Sequence, residues 1–190
     1  MDYTAHYPSP LGDLLMASDG DALVGLWFDG QQHFAETLDA ETVERPDLPV
    51  FARVRQWLDL YFGGIMPDFV PPLELRGSDF QKRVWRALLA IPVGQTETYG
   101  GLAKQLGCRS AQAIGHAVGR NPISIIVPCH RVVGADGSLT GYAAGVDKKR
   151  WLLEWERRPS DNHSEKGFFM FRRLKPIDQY KRCGHLNMES

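Results

Sequence analysis

The first 76 residues of this 190-residue chain contain no lysine, the whole chain holds only three cysteines, and no apolar run is long enough to cross a bilayer. A membrane helix takes about 20 consecutive apolar residues, so no membrane partner is expected. Cys108, Cys129 and Cys183 are odd in number and far apart, which argues against a disulfide framework. A reducing, cytoplasmic location, with at least one cysteine kept as a free thiol, is the expectation. Met1-Asp2-Tyr3 is acidic with no apolar stretch behind it, unlike a secretory leader. No second Cys or His stands at ligand spacing to Cys129, so no metal is expected there. A glycine-rich phosphate cradle followed by lysine is also missing, and no cofactor is expected.

The shortage of positive charge is local. Residues 1–76 set four Arg against thirteen Asp and Glu, a net −9. Residues 77–156 carry ten basic and six acidic side chains, and residues 157–190 eight and four, so each of these segments is +4. The overall formal charge of −1 conceals the split. A nucleic acid would be repelled by the first segment and drawn to the rest. Ordinary solvated faces would give the same counts, so charge alone leaves both readings open.

Short strands open the chain. Tyr3 to Tyr7, Leu14 to Ser18 and Ala22 to Phe28 alternate or cluster as strand segments, separated by turns at Pro8–Gly12 and Asp19–Asp21. Residues 31–40 are read as a helix. Phe51, Val54, Leu58, Tyr61 and Phe62 recur at helical spacing up to Gly63-Gly64. The Gly- and Pro-rich stretch 63–77 reads as a linker, which puts a small α/β domain over residues 1–76. Beyond it, Ser78-Asp79-Phe80-Gln81 is a capping-box pattern. It starts a helix that shows Phe80, Val84, Leu88 and Ile91 on one face. A short helix from Thr98 to Leu106, a Gly107-Cys108-Arg109 turn, and a helix capped by Ser110 follow. Helix, glycine turn, helix is the helix-turn-helix arrangement, although a plain αα-hairpin has the same spacing. In the last helix Ala111, Ile114 and Val118 are expected inward, with Gln112, Ala113, Gly115, His116 and Ala117 outward. Small outward residues and free N-terminal amides suit a sugar-phosphate backbone.

Ile123 to Val127 is a continuous apolar run, read as a short buried strand that delivers Pro128-Cys129-His130-Arg131. A cysteine is most often an inert core residue, but an inert thiol has no use for a fixed proline before it and His and Arg after it. A nearby base raises the thiolate fraction. His130 is that base; neighbours on an extended chain point to opposite faces, so a bridging water is expected between them. A base of this kind needs a third group to hold its tautomer, and Glu156, near the end of a helix from Asp147, is the candidate. Four glycines between Gly134 and Gly145 suggest a loop shaping a pocket.

From Phe80 to Glu156 the chain closely resembles the O6-alkylguanine-DNA alkyltransferases, also called methylated-DNA–protein-cysteine methyltransferases. The resemblance rests on ordered motifs: Phe80-Gln81 to Pro92-Val93-Gly94, Thr98-Tyr99-Gly100, Gly119-Arg120-Asn121-Pro122, Pro128-Cys129-His130-Arg131, Thr140-Gly141-Tyr142 and Trp151-Leu152-Leu153. It implies an α+β fold with a ribonuclease H-like domain over 1–76 and a winged-helix-like domain with a DNA-binding helix-turn-helix over 77–157. The implied activity is single-turnover transfer of an alkyl group from O6-alkylguanine, and from O4-alkylthymine, in double-stranded DNA to Cys129. The implied catalytic set is Cys129, His130, Glu156, Tyr99 as donor to the departing guanine, and Asn121 as holder of the active-site segment. Val132, Tyr142 and Ala143 would line the base pocket, and Ser110, Ala111, Gln112, Gly115, Arg120 and Arg131 would meet DNA. Where many members place an arginine to fill the gap left by a flipped base, this chain has Gln112, which lacks the guanidinium charge and plane.

A non-catalytic lesion-binding helix-turn-helix protein would not need Cys129. A cysteine hydrolase built on Cys129, His130 and Glu156 would leave the basic helix-turn-helix without a role. Residues 158–190 match neither domain: a polar turn at Pro159–Ser164 precedes an apolar Phe168-Phe169-Met170-Phe171 patch. Cys183 and His185 do not make a metal site by themselves, and this segment is read as a flexible extension. A monomer is expected.

Overall fold

Alternation of side chains is what sets the first sheet. In the computed structural model, which describes residues 1–158, Ala5 and Tyr7 of strand β1 (Asp2–Ser9) turn inward while His6 and Pro8 face solvent. β1 pairs antiparallel with β2 (Gly12–Ser18), which pairs antiparallel with β3 (Leu23–Phe28). A three-residue strand, β4 (Thr42–Glu44), adds parallel to β1 and gives the order β3-β2-β1-β4. All six residues of β3 are buried. Leu23, Leu26 and Phe28 enter the main core, and Val24 and Trp27 pack with Ala17 on the other face.

Helix α1 (Pro49–Phe62) begins with proline in its first turn, where the missing N–H costs nothing. Its Phe51, Val54, Leu58, Tyr61 and Phe62 cover the sheet. Helix α2 (Asp79–Leu89) carries the predicted capping box in full: Ser78 accepts from the Gln81 amide, and the Gln81 side chain accepts from the Ser78 amide. β5 (Glu97–Thr98) leads into α3 (Tyr99–Gln105), and α4 (Ala111–Gly119) follows. Between them Gly107, at φ +64, lets Cys108 N–H reach Ala103 O at 2.8 Å and its own N–H reach Lys104 O at 3.2 Å. That pair of bonds is the helix-ending motif that favours a left-handed glycine. A single 3-10 turn (Cys129–Arg131), β6 (Val132–Val133) and α5 (Val146–Glu156) complete the described chain.

One continuous apolar core runs from Ala5 and Leu14 through Tyr61 to Trp85, Ile114 and Trp155. α1 and α5 seal it: the Trp155 indole donates to Tyr61 O at 2.8 Å, and Phe62 meets Trp151 at 6.1 Å between ring centres. Trp85 donates to Ala117 O at 2.8 Å, which fixes α4 against α2. Among the described residues no helix is long and apolar enough to cross a membrane.

Several sequence expectations need correction. Residues 31–40 are turns, not a helix; His33 and Ala35 sit at φ 57 and 56, which no right-handed helix tolerates. Stretch 63–77 is not a detached linker, since Pro72 O accepts from Leu23 N at 2.8 Å, Glu74 N donates to Leu23 O at 2.9 Å, and Leu75 is buried. Residues 123–127 are buried but do not form a strand. Ile125 adopts φ 69, and only Ile123 bridges to a neighbour, Leu26. On α4, Ala111 is exposed and Ala117 buried, the reverse of expectation, because Ala117 shares the face of Ile114 and Val118. The proposed extension over 158–190, with Phe168–Phe171, Cys183 and His185, lies outside the described residues apart from Arg158.

Candidate active site

The site is assembled at the end of the buried segment 121–129. Asn121 shapes it: its Nδ2 lies 3.1 Å from Ile123 O, 2.8 Å from Val127 O and 3.1 Å from Cys129 Sγ, and its Oδ1 accepts from Ile123 N at 3.0 Å. One amide thus takes three backbone groups, Ile123 N, Ile123 O and Val127 O, and turns within the segment take others, such as Val127 N to Ile123 O at 3.1 Å, which lets it bend while buried. Leu26 of β3 ties the same segment down, donating to Pro122 O and accepting from Ser124 N, both at 2.8 Å. The parallel β5–β6 pairing, Glu97 with Val132, sets Tyr99 and Cys129 at a defined offset.

Cys129 is 6% exposed. Burial pushes its thiol pKa up, against the pull of Asn121, the Lys149 charge and the backbone N–H groups of Cys129 and His130. At rest it is therefore a thiol. Cys129 and His130 occupy a 3-10 turn rather than an extended strand, yet the two side chains share no hydrogen bond; His130 is bonded elsewhere. Its Nε2 lies 2.6 Å from Glu156 Oε1, and its Nδ1 is buried without a hydrogen-bond partner. Burial lowers the His130 pKa more than the Glu156 charge raises it, so the ring is neutral at neutral pH.

Glu156 is buried on α5 and collects donors from four places. Oε1 accepts from Tyr61 OH at 2.8 Å, from His130 Nε2 and from Arg131 Nη2 at 3.0 Å. Oε2 accepts from Arg131 Nε at 2.8 Å and Gly94 N at 3.4 Å. Burial alone would raise its pKa, but His130 and Arg131 outweigh that and hold it well below the carboxylate range. Arg131, expected to meet DNA, is instead 7% exposed, and its remaining Nη1 donates to Ile91 O at 2.6 Å. It neutralises Glu156, and its burial there, rather than a lack of donors, keeps it from the exposed surface of α4.

An open cleft of about 900 Å³ is lined by Tyr99, Thr140, Gly141, Tyr142 and Ala143 and by Gln112, Gly115, His116 and Arg120 of the α4 region. Tyr142, whose ring meets His130 edge-on at 6.5 Å, links it to this cluster, and Cys129 is not among its lining residues. Tyr99 OH donates to Thr140 O at 3.0 Å. Gly141, at φ 69, could not carry a Cβ without bringing it within 3.3 Å of that hydroxyl. Ser110 caps α4 by accepting from Ala113 N at 3.1 Å, and Ala111 and Gln112 are exposed at that end. Arg120 is exposed and reaches Glu36 at 3.4 Å. Val132, expected on the pocket wall, is fully buried in β6 and absent from the cleft lining. Ala143 is on the wall, its carbonyl accepting from Gln32 N at 3.0 Å.

Two residues of the site escaped the sequence reading. Lys149 is completely buried, donates from Nζ to Thr140 O at 2.8 Å and lies 5.9 Å from the Tyr99 ring centre. Burial lowers its pKa to about 8, with Cys129 pulling the other way. A Lys-Lys-Arg run reads as a solvated helix face, and nothing in the sequence marks the middle residue as buried. Tyr61 fitted the apolar face of α1, and its hydroxyl carried no sequence signal.

Comparison with known proteins agrees with this geometry. Residues 3–75 match the family model described as the ribonuclease-like domain of 6-O-methylguanine DNA methyltransferase, and residues 79–158 match the DNA binding domain of the same family. The chain belongs to the methylated-DNA–protein-cysteine methyltransferase family. It is 47% identical over 157 residues to the methylated-DNA–protein-cysteine methyltransferase of Mycobacterium tuberculosis, covering 80% of this chain and 92% of that one. The Haemophilus influenzae protein of the same name is 41% identical over 159 residues, covering 83% and 87%. Among solved structures, Mycobacterium tuberculosis OGT in complex with DNA superposes with a TM-score of 0.76 at 41% identity, over 87% of this chain and 99% of that chain. The Methanococcus jannaschii O6-methylguanine DNA methyltransferase gives 0.61 at 31% identity, over 84% and 96%. The expected α+β class, a ribonuclease-like α/β domain followed by a helical DNA-binding domain, is that of the family.

For this methyltransferase-family site, replacing Glu156 with Gln leaves Arg131 as a buried cation without its counter-charge. We expect Glu156→Gln to cost about 3–5 kcal/mol, read from urea denaturation. The folded pKa values of His130 and Glu156 both lie below their ordinary values of 6.5 and 4.5. Their contribution to stability is therefore complete above pH 6.5 and declines as pH falls, first through His130 and then through Glu156.

Proposed function

We propose that this chain reverses O6-methylguanine damage in double-stranded DNA by moving the alkyl group to Cys129, once per molecule. The observation that carries the assignment is His130. Its Nε2 is committed to Glu156, while its Nδ1 lone pair is buried and unpartnered on the residue next to a buried thiol. A base so held can take the Cys129 proton through one water. The thiolate sulfur then attacks the O6-alkyl carbon; the S–C bond forms, the C–O bond breaks, and its electron pair stays with guanine. The purine gains one proton as the thiol has lost one, so the step balances without a cofactor. Tyr99, released from Thr140 O, donates to the ring and stabilises the charge that develops there. Lys149 supports the thiolate by its charge.

DNA would be met by the α4 end of the cleft. Ser110, Ala111, Gln112 and Gly115 offer a capped helix terminus and little bulk, and Arg120 adds a cation. Extruding the base costs a few kcal/mol, less when the pair is already weakened by alkylation. Tyr142 and Ala143 then line its pocket. O4-alkylthymine presents the same oxygen–alkyl linkage and is included as a substrate. In this reading residues 77–157 bind DNA and carry the transfer, residues 1–76 brace them, and the protein acts as a monomer. A nucleophilic free thiol suits a reducing cytoplasm.

The test is a duplex containing O6-methylguanine mixed with the protein, followed by peptide mass measurement. One added methyl group on the Cys129 peptide is expected, with no second turnover in excess DNA and none in Cys129→Ser. A methyl group elsewhere, or repeated turnover, would refute the assignment. Gln112→Ala should lower DNA affinity or repair rate by about tenfold or less, as for loss of one hydrogen bond, without abolishing transfer. Unchanged affinity and rate in a filter-binding and single-turnover assay would remove Gln112 from the DNA-facing set.

A further inference from the structure

The N-terminal half of the chain places one polar group inside the relay. Tyr61, near the C-terminal end of α1, is fully buried, and its hydroxyl donates to Glu156 Oε1 at 2.8 Å. That oxygen is the one bonded to His130 Nε2. The aim of the hydroxyl is set by packing rather than by the bond itself. Trp57 stacks on the ring at 5.2 Å and 13°, Phe62 meets it edge-on at 5.3 Å, and Tyr61 O holds the Trp155 indole at 2.8 Å.

Resting on the function proposed above, we propose that Tyr61 is a positioning residue of the transfer reaction. By donating to Oε1 it limits how strongly Glu156 holds a proton on His130, and so keeps His130 available as a neutral base.

The charges facing His130 make this donor matter. From α5 come Glu156 and Lys149, from its own turn Cys129 and Arg131, and from the 134–145 loop the Tyr142 ring, edge-on at 6.5 Å. Lys149 and Arg131 oppose protonation of the ring, and Glu156 is the carboxylate that favours it. A carboxylate oxygen shared among three donors offers less charge to each of them. Arg131 grips both carboxylate oxygens and fixes their orientation, so Tyr61 is not needed to aim Glu156. What its hydroxyl changes is the basicity of the oxygen that His130 feels. Burial and the Glu156 charge push the Tyr61 phenol well above its ordinary value of 10.0, so it stays a donor across the range in which His130 titrates.

The experiment follows the His130 ring by NMR in 15N-histidine-labelled protein as pH is varied. Tyr61→Phe keeps the ring and removes the donor; 3,5-difluorotyrosine at position 61 keeps the ring and strengthens the donor. The midpoint of the His130 titration is expected to rise by about half to one pH unit in the first and to fall in the second, as for one hydrogen bond lost or strengthened. The acid limb of the single-turnover rate should move the same way. Tyr61→Phe would then be several-fold slower near the midpoint and unchanged in mild alkali. Coincident midpoints, or a rate lowered equally at every pH, would reduce Tyr61 to a packing residue and overturn the proposal. If Tyr61→Phe does not fold, the fluorinated protein decides by the sign of its shift. The ring titration uses no substrate, so it judges Tyr61 whether or not Cys129 proves to be the methyl acceptor.

Discussion

A carboxylate taken out of water loses several kcal/mol of hydration, and Glu156 recovers it only by collecting donors from distant parts of the chain. Tyr61 lies 95 positions away, Gly94 62, His130 26 and Arg131 25. Those four cannot converge until α1, the loop after α2, the Cys129 turn and α5 are packed together. The ion cluster and the core around it therefore form as one event. Burial also accounts for the place of Arg131: with Glu156 out of water, the cation beside it serves as its counter-charge.

The same burial governs the thiol. Cys129 sits in an environment that favours the protonated form, and the groups that favour the thiolate, Asn121 and Lys149, offset that without reversing it. A cysteine kept in this state is protected from casual oxidation or alkylation, and becomes nucleophilic when a base is positioned to take its proton. Asn121 has two tasks at one place. It satisfies the bent backbone of 121–129 and holds Sγ at 3.1 Å, so the shape of the segment and the orientation of the nucleophile are set together.

The parts of the fold that were legible in the sequence are those controlled by neighbours in the chain. The Ser78–Gln81 capping box, the Ser110 cap, the Gly107 turn and the alternation in β1 are local interactions, and each formed where the residues indicated. The misreadings share a different origin. Residues 123–127 have strand composition, but their backbone partners come from Asn121, Leu26 and the segment's own turns rather than from a ladder. Residues 31–40 have no apolar stripe strong enough to hold a helix, and left-handed residues at 33 and 35 break it. Ala111 and Ala117 have identical side chains, so composition could not say which of them turned inward.

For the site, the flanks of Cys129 pointed to a thiol with His130 as its base and Glu156 as the partner of that base, and the structure joins the last two at 2.6 Å. Tyr99 and Asn121 entered only through the family resemblance. The chain alone therefore determined the chemistry available to this protein: a flanked thiol, an imidazole, a carboxylate and a basic helix-turn-helix beside them. Tertiary structure alone decided how that chemistry is tuned. Lys149 became a buried cation near the thiol, Arg131 became a counter-ion, and Tyr61 became a donor to Glu156. Burial and charge proximity act through space between residues up to 95 positions apart, and no local pattern records them.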